Sequence, residues 1–358
     1  MHSFEREGTL RKDEAGLWVE GEGLDWQHWP PKVEALIATH LASLSAEDRT
    51  LLQAACVQGE QFAAEVAARV LGWDEETTIQ RLSGPLRTRH RLVEAVSLDR
   101  LASSGRAHSA GSGRAHSASS GQAHSAGSGQ AHSAGAGQRL SRYRFRHWLV
   151  QQGAYRGLDL VARARMHEAT ARALEAIYEA AGVEAPSLAP DLARHYEAAE
   201  LPLEAAWYRL EAGRWAVRLV AYDEATTHFE RGLALLERLA PSRERLRLEL
   251  GLRVAMSTPV MMERGLQAPA FARALERLSE LVQHPDLQDD PQRLAALTVL
   301  ALSAGWSADP VRSGKVGQQL LDLVPPASSG QGPSAGSGQG LDGHRQTVLL
   351  GHWALGFS

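Results

Sequence analysis

The chain has 358 residues, 44% of them hydrophobic and 22% charged, with a formal net charge of −4. A lone thiol, Cys56, excludes a disulfide framework and any multi-cysteine zinc or iron–sulfur site. The near-neutral balance gives no global electrostatic reason to bind nucleic acid. No run of 18 apolar residues occurs and residues 1–25 lack the apolar core of a signal peptide, so no membrane association and a cytoplasmic location are expected.

Residues 30–44 begin the helical sequence: after Pro30, an apolar stripe of Val33, Leu36, Ile37, Leu41 and Leu44 predicts a helix. Ser45, with Asp48 three residues on, is a start signal for a second helix carrying Leu51, Leu52, Ala55 and Cys56 inward. Beyond Gly59, Phe62, Val66, Val70 and Leu71 predict a third helix. A fourth, from Asp74, presents Ile79, Leu82 and Leu86. The period then changes: 92–98 and 142–147 are short β-prone runs, expected as a hairpin. Between them stands an octapeptide repeated four times over 107–138 (AHSAGSGR, AHSASSGQ, AHSAGSGQ, AHSAGAGQ). Its Gly, Ser and Ala content offers no face to bury. Its histidines, His108, His116, His124 and His132, lack the second-shell partners that position metal ligands, and no metal site is expected there. Several helices followed by a hairpin predict a winged-helix-like domain over 25–150, with residues 101–139 as an insertion in its wing.

Helical patterning then runs on from Leu149. Candidate helices cover 149–160, 161–181, 188–199, 203–219, 222–239, 246–256, 270–283, 291–305, 316–324 and 344–357, with a Gly/Ser-rich patch at 327–341. Gly213, Tyr222, Ala225, Phe229 and Gly232 fall at the offsets of the small and aromatic positions of a tetratricopeptide unit, although Arg209 replaces its N-terminal tryptophan. The expected fold is mainly α: a winged-helix-like domain with a short β-hairpin, then an incomplete tetratricopeptide-like α-superhelix over 151–358.

Several segments carry a family likeness: LRKDEAGLW (10–18), LDWQHWPPKVEALIATHLASL (24–44), AACVQGEQF (54–62) and YRFRHWLVQQGAY (143–155). So do Arg163, Arg165, His167 and Ala171, and AYDEATTHFERGLALLERL (221–239). Together they resemble the winged-helix and tetratricopeptide portion of the bacterial STAND signalling ATPases, in the branch fused to transcriptional regulators or to adenylate or guanylate cyclases. The resemblance implies an ATPase module ahead of this chain, with residues 1–24 as its trailing segment. A truncated or split gene product is therefore expected. ATP and ADP are implied only for that absent module, and no cofactor is expected in this chain. By the same resemblance, His147 is the candidate nucleotide-state sensor, contacting the β-phosphate of ADP where an ATPase domain is present. The alternative is a histidine capping the following helix or packing beside Trp148.

No catalytic residue is expected. Gly314-Lys315 is followed by Val316 and not by Ser or Thr, so it is no P-loop. Gly332, Ser334 and Gly336 match a hydrolase nucleophile pattern but have no strand before them. His167-Glu168 lacks the second histidine of a zinc protease. The carboxylates of Glu75, Glu76, Asp289 and Asp290 are explained by helix starts and turns. A basic cluster of Arg81, Arg87, Arg89, His90 and Arg91 raises DNA binding, weighed against nearby acids and a connector role. The remaining surface is the concave face of the helical array. There Arg194, His195, Tyr196, Trp207, Tyr208 and Trp215 are candidates to bind a protein or small-molecule inducer, or else to form core. The expected role is a non-catalytic coupling and sensor region. The alternatives are a stand-alone interaction scaffold and a winged-helix DNA-binding regulator.

Overall fold

The computed structural model describes residues 10–12, 18–20, 31–101, 139–181, 186–265, 268–307 and 310–322. They are mainly α-helical, with a small three-stranded antiparallel sheet. The chain divides into two units between Ala173 and Leu174. The sequence placed the boundary after residue 150.

In the first unit, β1 (Leu10–Lys12) pairs antiparallel with β2 (Trp18–Glu20). After α1 (Pro31–Ala42), Ser45 caps α2 (Ala46–Cys56). Its Oγ accepts the Asp48 N–H at 3.0 Å and donates to Asp48 Oδ2 at 2.7 Å, so an otherwise orphaned donor of the first turn is satisfied. Leu51, Leu52, Ala55 and Cys56 are fully buried, as the stripe predicted.

Phe62 departs from expectation. It lies in a strand, β3 (Gln61–Ala63), and the helix α3 (Ala64–Leu71) starts only after it. Gln58 holds the extended chain, its Oε1 accepting the Ala63 N–H at 2.9 Å. Gly72 ends α3 in the left-handed conformation, and the Trp73 N–H returns to the Ala68 carbonyl at 2.9 Å, a glycine-terminated helix stop. Asp74 caps α4 (Glu75–Arg81) through the Thr77 N–H. The chain continues as a π-helical stretch, Leu82–Arg89, around Pro85. Proline offers no N–H to the ladder, and the His90 N–H bonds five residues back to the Pro85 carbonyl.

The expected hairpin is present as β4 (Val93–Arg100) and β5 (Arg139–Phe145), but β3 joins its other side to give the order β3-β5-β4. Phe62 stands opposite Tyr143 and Val93 opposite Phe145. The last pair is Arg100 with Arg139, and the octapeptide block lies between them, outside the described residues. Both oxygens of buried Glu65 accept the Ser141 N–H at 2.9 Å, tying α3 to β5. The Phe62 and Phe145 rings meet at 5.2 Å between centroids in the core. α5 (Trp148–Arg156) contributes Ala154 to that core, followed by Leu158, which explains why this unit extends past residue 150.

α6 (Leu160–Ala180) contains the division between the units. The second unit continues with α7 (Ala189–Ala198), α8 (Pro202–Arg218), α9 (Tyr222–Glu237) and α10 (Arg243–Arg264). It closes with α11 (Pro269–Gln283), α12 (Gln292–Ser307) and α13 (Pro310–Asp322). One turn recurs. After α7 and α8, Glu200 (φ 58°) and Val220 (φ 62°) are left-handed. The next N–H then reaches back five residues, Leu201 to Tyr196 at 3.0 Å and Ala221 to Ala216 at 2.9 Å.

Gly213 sets the approach of α8 to α9: a Cβ there would stand 2.6 Å from Cζ of Phe229, a fully buried ring. Gly232 does the same for α9 and α10, where a Cβ would lie 2.9 Å from Cδ2 of Leu252. α10 runs through Pro259 to Arg264, eight residues beyond the expected end at Met256. Pro259 and Val260 are buried, so packing outweighs the lost backbone bond. The candidate helix at 344–357 and the patch at 327–341 lie outside the described residues.

Candidate functional site: an aromatic and acidic pocket in the helical array

α8 brings a continuous face to one cavity. Glu204, Trp207, Tyr208 and Glu211 recur at intervals of three and four residues, and the first three line a pocket of about 460 Å³ within the second unit. Tyr196 from α7 stacks on Tyr208, with centroids 5.4 Å apart and planes 5° from parallel. Trp207 meets Tyr208 edge-on at 4.6 Å. The Tyr208 hydroxyl donates to Glu175 on α6. Burial first, and then the Glu175 carboxylate, push the Tyr208 phenol far above the ordinary tyrosine range, so it remains a donor. α10 supplies Glu244 and Arg247, and α12 supplies Gln292.

Three of the expected groove residues, Tyr196, Trp207 and Tyr208, therefore meet at one site. Two of the others do not line it. Arg194 is two residues from Tyr196, about 200° round the helix. It is exposed, lies 3.8 Å from Asp191, and donates to Nε2 of buried His195 at 3.2 Å. Trp215 is two turns along α8 from Tyr208, half-buried under the Arg218 guanidinium at 5.1 Å. The α8 acid at Glu204 was not among the groove residues expected from the sequence, although its spacing of three and four residues from Trp207 and Tyr208 could have marked it. Glu175, Glu244, Arg247 and Gln292 arrive from other helices and left no local signal.

Arg209, at the position of the absent consensus tryptophan, anchors a polar cluster that joins α7, α8 and α9. It donates to Glu197 at 2.8 Å and to His228 Nδ1 at 3.2 Å, while Arg231 also donates to Glu197, at 2.6 Å. Burial raises the Glu197 carboxyl, but the Arg231 and Arg209 bonds outweigh it and hold it below the ordinary range. Buried Glu249 is held low in the same way, against burial, by Arg277 and Arg253.

His147 is exposed at the N-cap position of α5, where its side chain makes no capping bond, contrary to the capping alternative. The basic cluster of the first unit is divided. Arg81 is engaged by Glu47 and by Asp48 at 3.0 Å, whereas Arg87, Arg89 and Arg91 are exposed. Asp290 does more than begin a helix: buried, it accepts the Gln292 N–H at 2.9 Å and pairs with Arg247 at 3.0 Å. Burial raises the Cys56 thiol to about 12, leaving it protonated. His167 is buried with Nε2 at 3.0 Å from the Tyr155 hydroxyl. Gly314 and Lys315 lie within α13, and the described element before it is the helix α12, where a P-loop requires a strand. The repeat histidines and Ser334 lie outside the described residues. Among the described residues no three metal-ligating side chains gather, and no helix is long and apolar enough to cross a membrane. No protein-family model matches the chain, and no curated protein or solved structure matches it.

Proposed function

We propose that this chain is the non-catalytic coupling and sensor region of a STAND-type signalling or transcriptional regulator, acting in the cytoplasm with a P-loop ATPase module. The observation that carries the reading is the pocket at Tyr196, Trp207 and Tyr208. It is a cavity of small-molecule size, formed where several helices of the array converge. The strand order β3-β5-β4, with β3 between α2 and α3 and the β4–β5 hairpin following α4 and the π-helical stretch, supports a winged-helix connector in the first unit. The close contacts at Gly213 and Gly232 support tetratricopeptide-like packing in the second. In this scheme a protein or small inducer bound at the pocket releases inhibition, and exposed His147 is free to meet a diphosphate presented by the ATPase. A stand-alone scaffold would use the same pocket without a motor.

Two measurements test the reading. The purified chain should release no phosphate from ATP above buffer. ATP turnover abolished by a point change within the chain overturns the non-catalytic assignment. The product isolated from its own cells with an antibody against residues 150–240 should carry a P-loop ATPase, either as mass above 38.8 kDa or as a bound partner. Isolation with neither overturns the coupling role in favour of the scaffold.

A further inference from the structure

The pocket has a charge preference that its shape alone does not reveal. Three carboxylates, Glu175, Glu204 and Glu244, line it together with two guanidinium groups, Arg214 and Arg247. The cations are already matched. Arg214 donates to Glu211 at 2.7 Å, and Arg247 pairs with the buried carboxylate of Asp290 at 3.0 Å. An anion entering the site would compete with both acids and face three more. Glu204 and Glu244 are exposed and, among the described residues, make no ion pair. Each sits in the first turn of its helix, where the backbone supplies roughly half a positive charge. A full carboxylate charge exceeds that, so the mouth of the pocket remains negative.

The aromatic walls favour the same kind of ligand. Tyr196 covers one face of the Tyr208 phenol and Trp207 meets that ring edge-on, so the aromatic face open to a ligand belongs to the half-exposed indole of Trp207. A cation within about 6 Å of such a face is attracted by the ring quadrupole, most strongly by tryptophan. Glu175 receives the Tyr208 hydroxyl, which fixes the phenol in place. A cavity of about 460 Å³ accommodates a small molecule or one long side chain.

We infer that the pocket binds a ligand bearing a cationic nitrogen, an alkylammonium or guanidinium group, seated against Trp207 and neutralised by Glu204 and Glu244. This rests on the pocket being the ligand site of the array. The cation belongs either to a free small amine or to an arginine or lysine side chain of a peptide.

Calorimetric titration of the full chain separates the cases, with three probes: agmatine, acetyl-arginine amide and its uncharged isostere acetyl-citrulline amide. A cationic probe should bind at least about tenfold more tightly than the citrulline compound, with affinity falling as salt rises. Agmatine ahead of acetyl-arginine amide indicates a free amine, and the reverse order a peptide side chain. The double variant Glu204→Gln/Glu244→Gln and the variant Trp207→Ala should each weaken the cation about tenfold, while Trp207→Phe retains most of the binding. These side chains are exposed, and circular dichroism verifies folding. Equal or tighter binding of acetyl-citrulline amide, lost in Trp207→Ala, overturns the charge class but keeps the pocket as a ligand site. No binding of any probe at millimolar concentration overturns the inference. Coupling to an ATPase stands or falls separately, on the cell-derived product.

Discussion

Replacing Gly213 by alanine is the sharpest test of the packing in the second unit. In an exposed helix the change would stabilise by about 1 kcal/mol, the difference in helix propensity between the two residues. Here the new methyl would stand 2.6 Å from Cζ of Phe229, about 1 Å inside ordinary carbon–carbon contact. Phe229 is fully buried and cannot swing into solvent. Overpacking costs about 1–3 kcal/mol, and a ring that cannot move aside puts this site in the upper part of that range, about 2–3 kcal/mol, so the net loss after the propensity gain should be about 1–2 kcal/mol. Gly251→Ala provides a milder comparison: its Cβ would meet the flexible end of Gln292, 2.6 Å from Oε1, and Cδ2 of buried Leu210 at 3.2 Å, so a smaller clash should roughly cancel the propensity gain. Hydrogen exchange read by mass spectrometry on peptides covering 202–237 reports the effect locally, as a five- to thirty-fold faster exchange for a loss of about 1–2 kcal/mol. Adding Phe229→Leu to Gly213→Ala should recover part of the loss, since the pair is coupled. Slower exchange in Gly213→Ala, matching a bare propensity gain, would refute the close approach of α8 and α9.

Val220 is β-branched, left-handed and 67% exposed, so Val220→Gly should stabilise the second unit by about 1 kcal/mol, read as slower exchange in the same peptides. Arg81→Ala leaves buried Asp48 without its cation and should cost the first unit about 1–3 kcal/mol, whereas Arg87→Ala should change its urea midpoint negligibly. The Glu249 carboxyl titrates below its ordinary 4.5, because the Arg277 and Arg253 bonds outweigh burial. Just under that value the unfolded chain holds more protons. The contribution of Glu249 is therefore present above 4.5 and lost as pH falls through the folded-state value. Glu249→Gln should flatten the acid limb of a circular dichroism titration. His228 shows the same sign for a different reason. Burial, and then Arg209, lower the imidazole below 6.5, so stability falls as pH drops beneath that point and His228→Asn should remove the slope.

Local chemistry was legible along the chain. Ser45 was recognisable as a cap and Asp74 as a helix start, because the bonds that make each of them a cap are satisfied within three residues. Gly213 and Phe229 were recognisable as partners because small and aromatic positions recur at fixed offsets along helices. Phe62 was not legible as a strand residue. Three extended residues carry no period, and the partner that makes them a strand, Tyr143, lies across the octapeptide block. The run of α10 through Pro259 escaped for a similar reason, since the burial that overrides proline is supplied by other helices. At the pocket, one face of α8 was readable. The acids that give the pocket its sign come partly from α6 and α10, and nothing in their own neighbourhoods marks them. Arg81 shows the reverse error, a cation grouped with its sequence neighbours although its partners lie on α2.

The pairing of Arg100 with Arg139 has a genetic consequence. The octapeptide block leaves and re-enters the sheet at two facing residues, so a gain or loss of one in-frame copy alters the path between them and leaves every register pair in place. Chain closure grows only with the logarithm of length, about 0.6 kcal/mol for a doubling. Copy number at this point is therefore nearly invisible to selection for folding, and alleles differing by whole octapeptides should encode first units of the same stability.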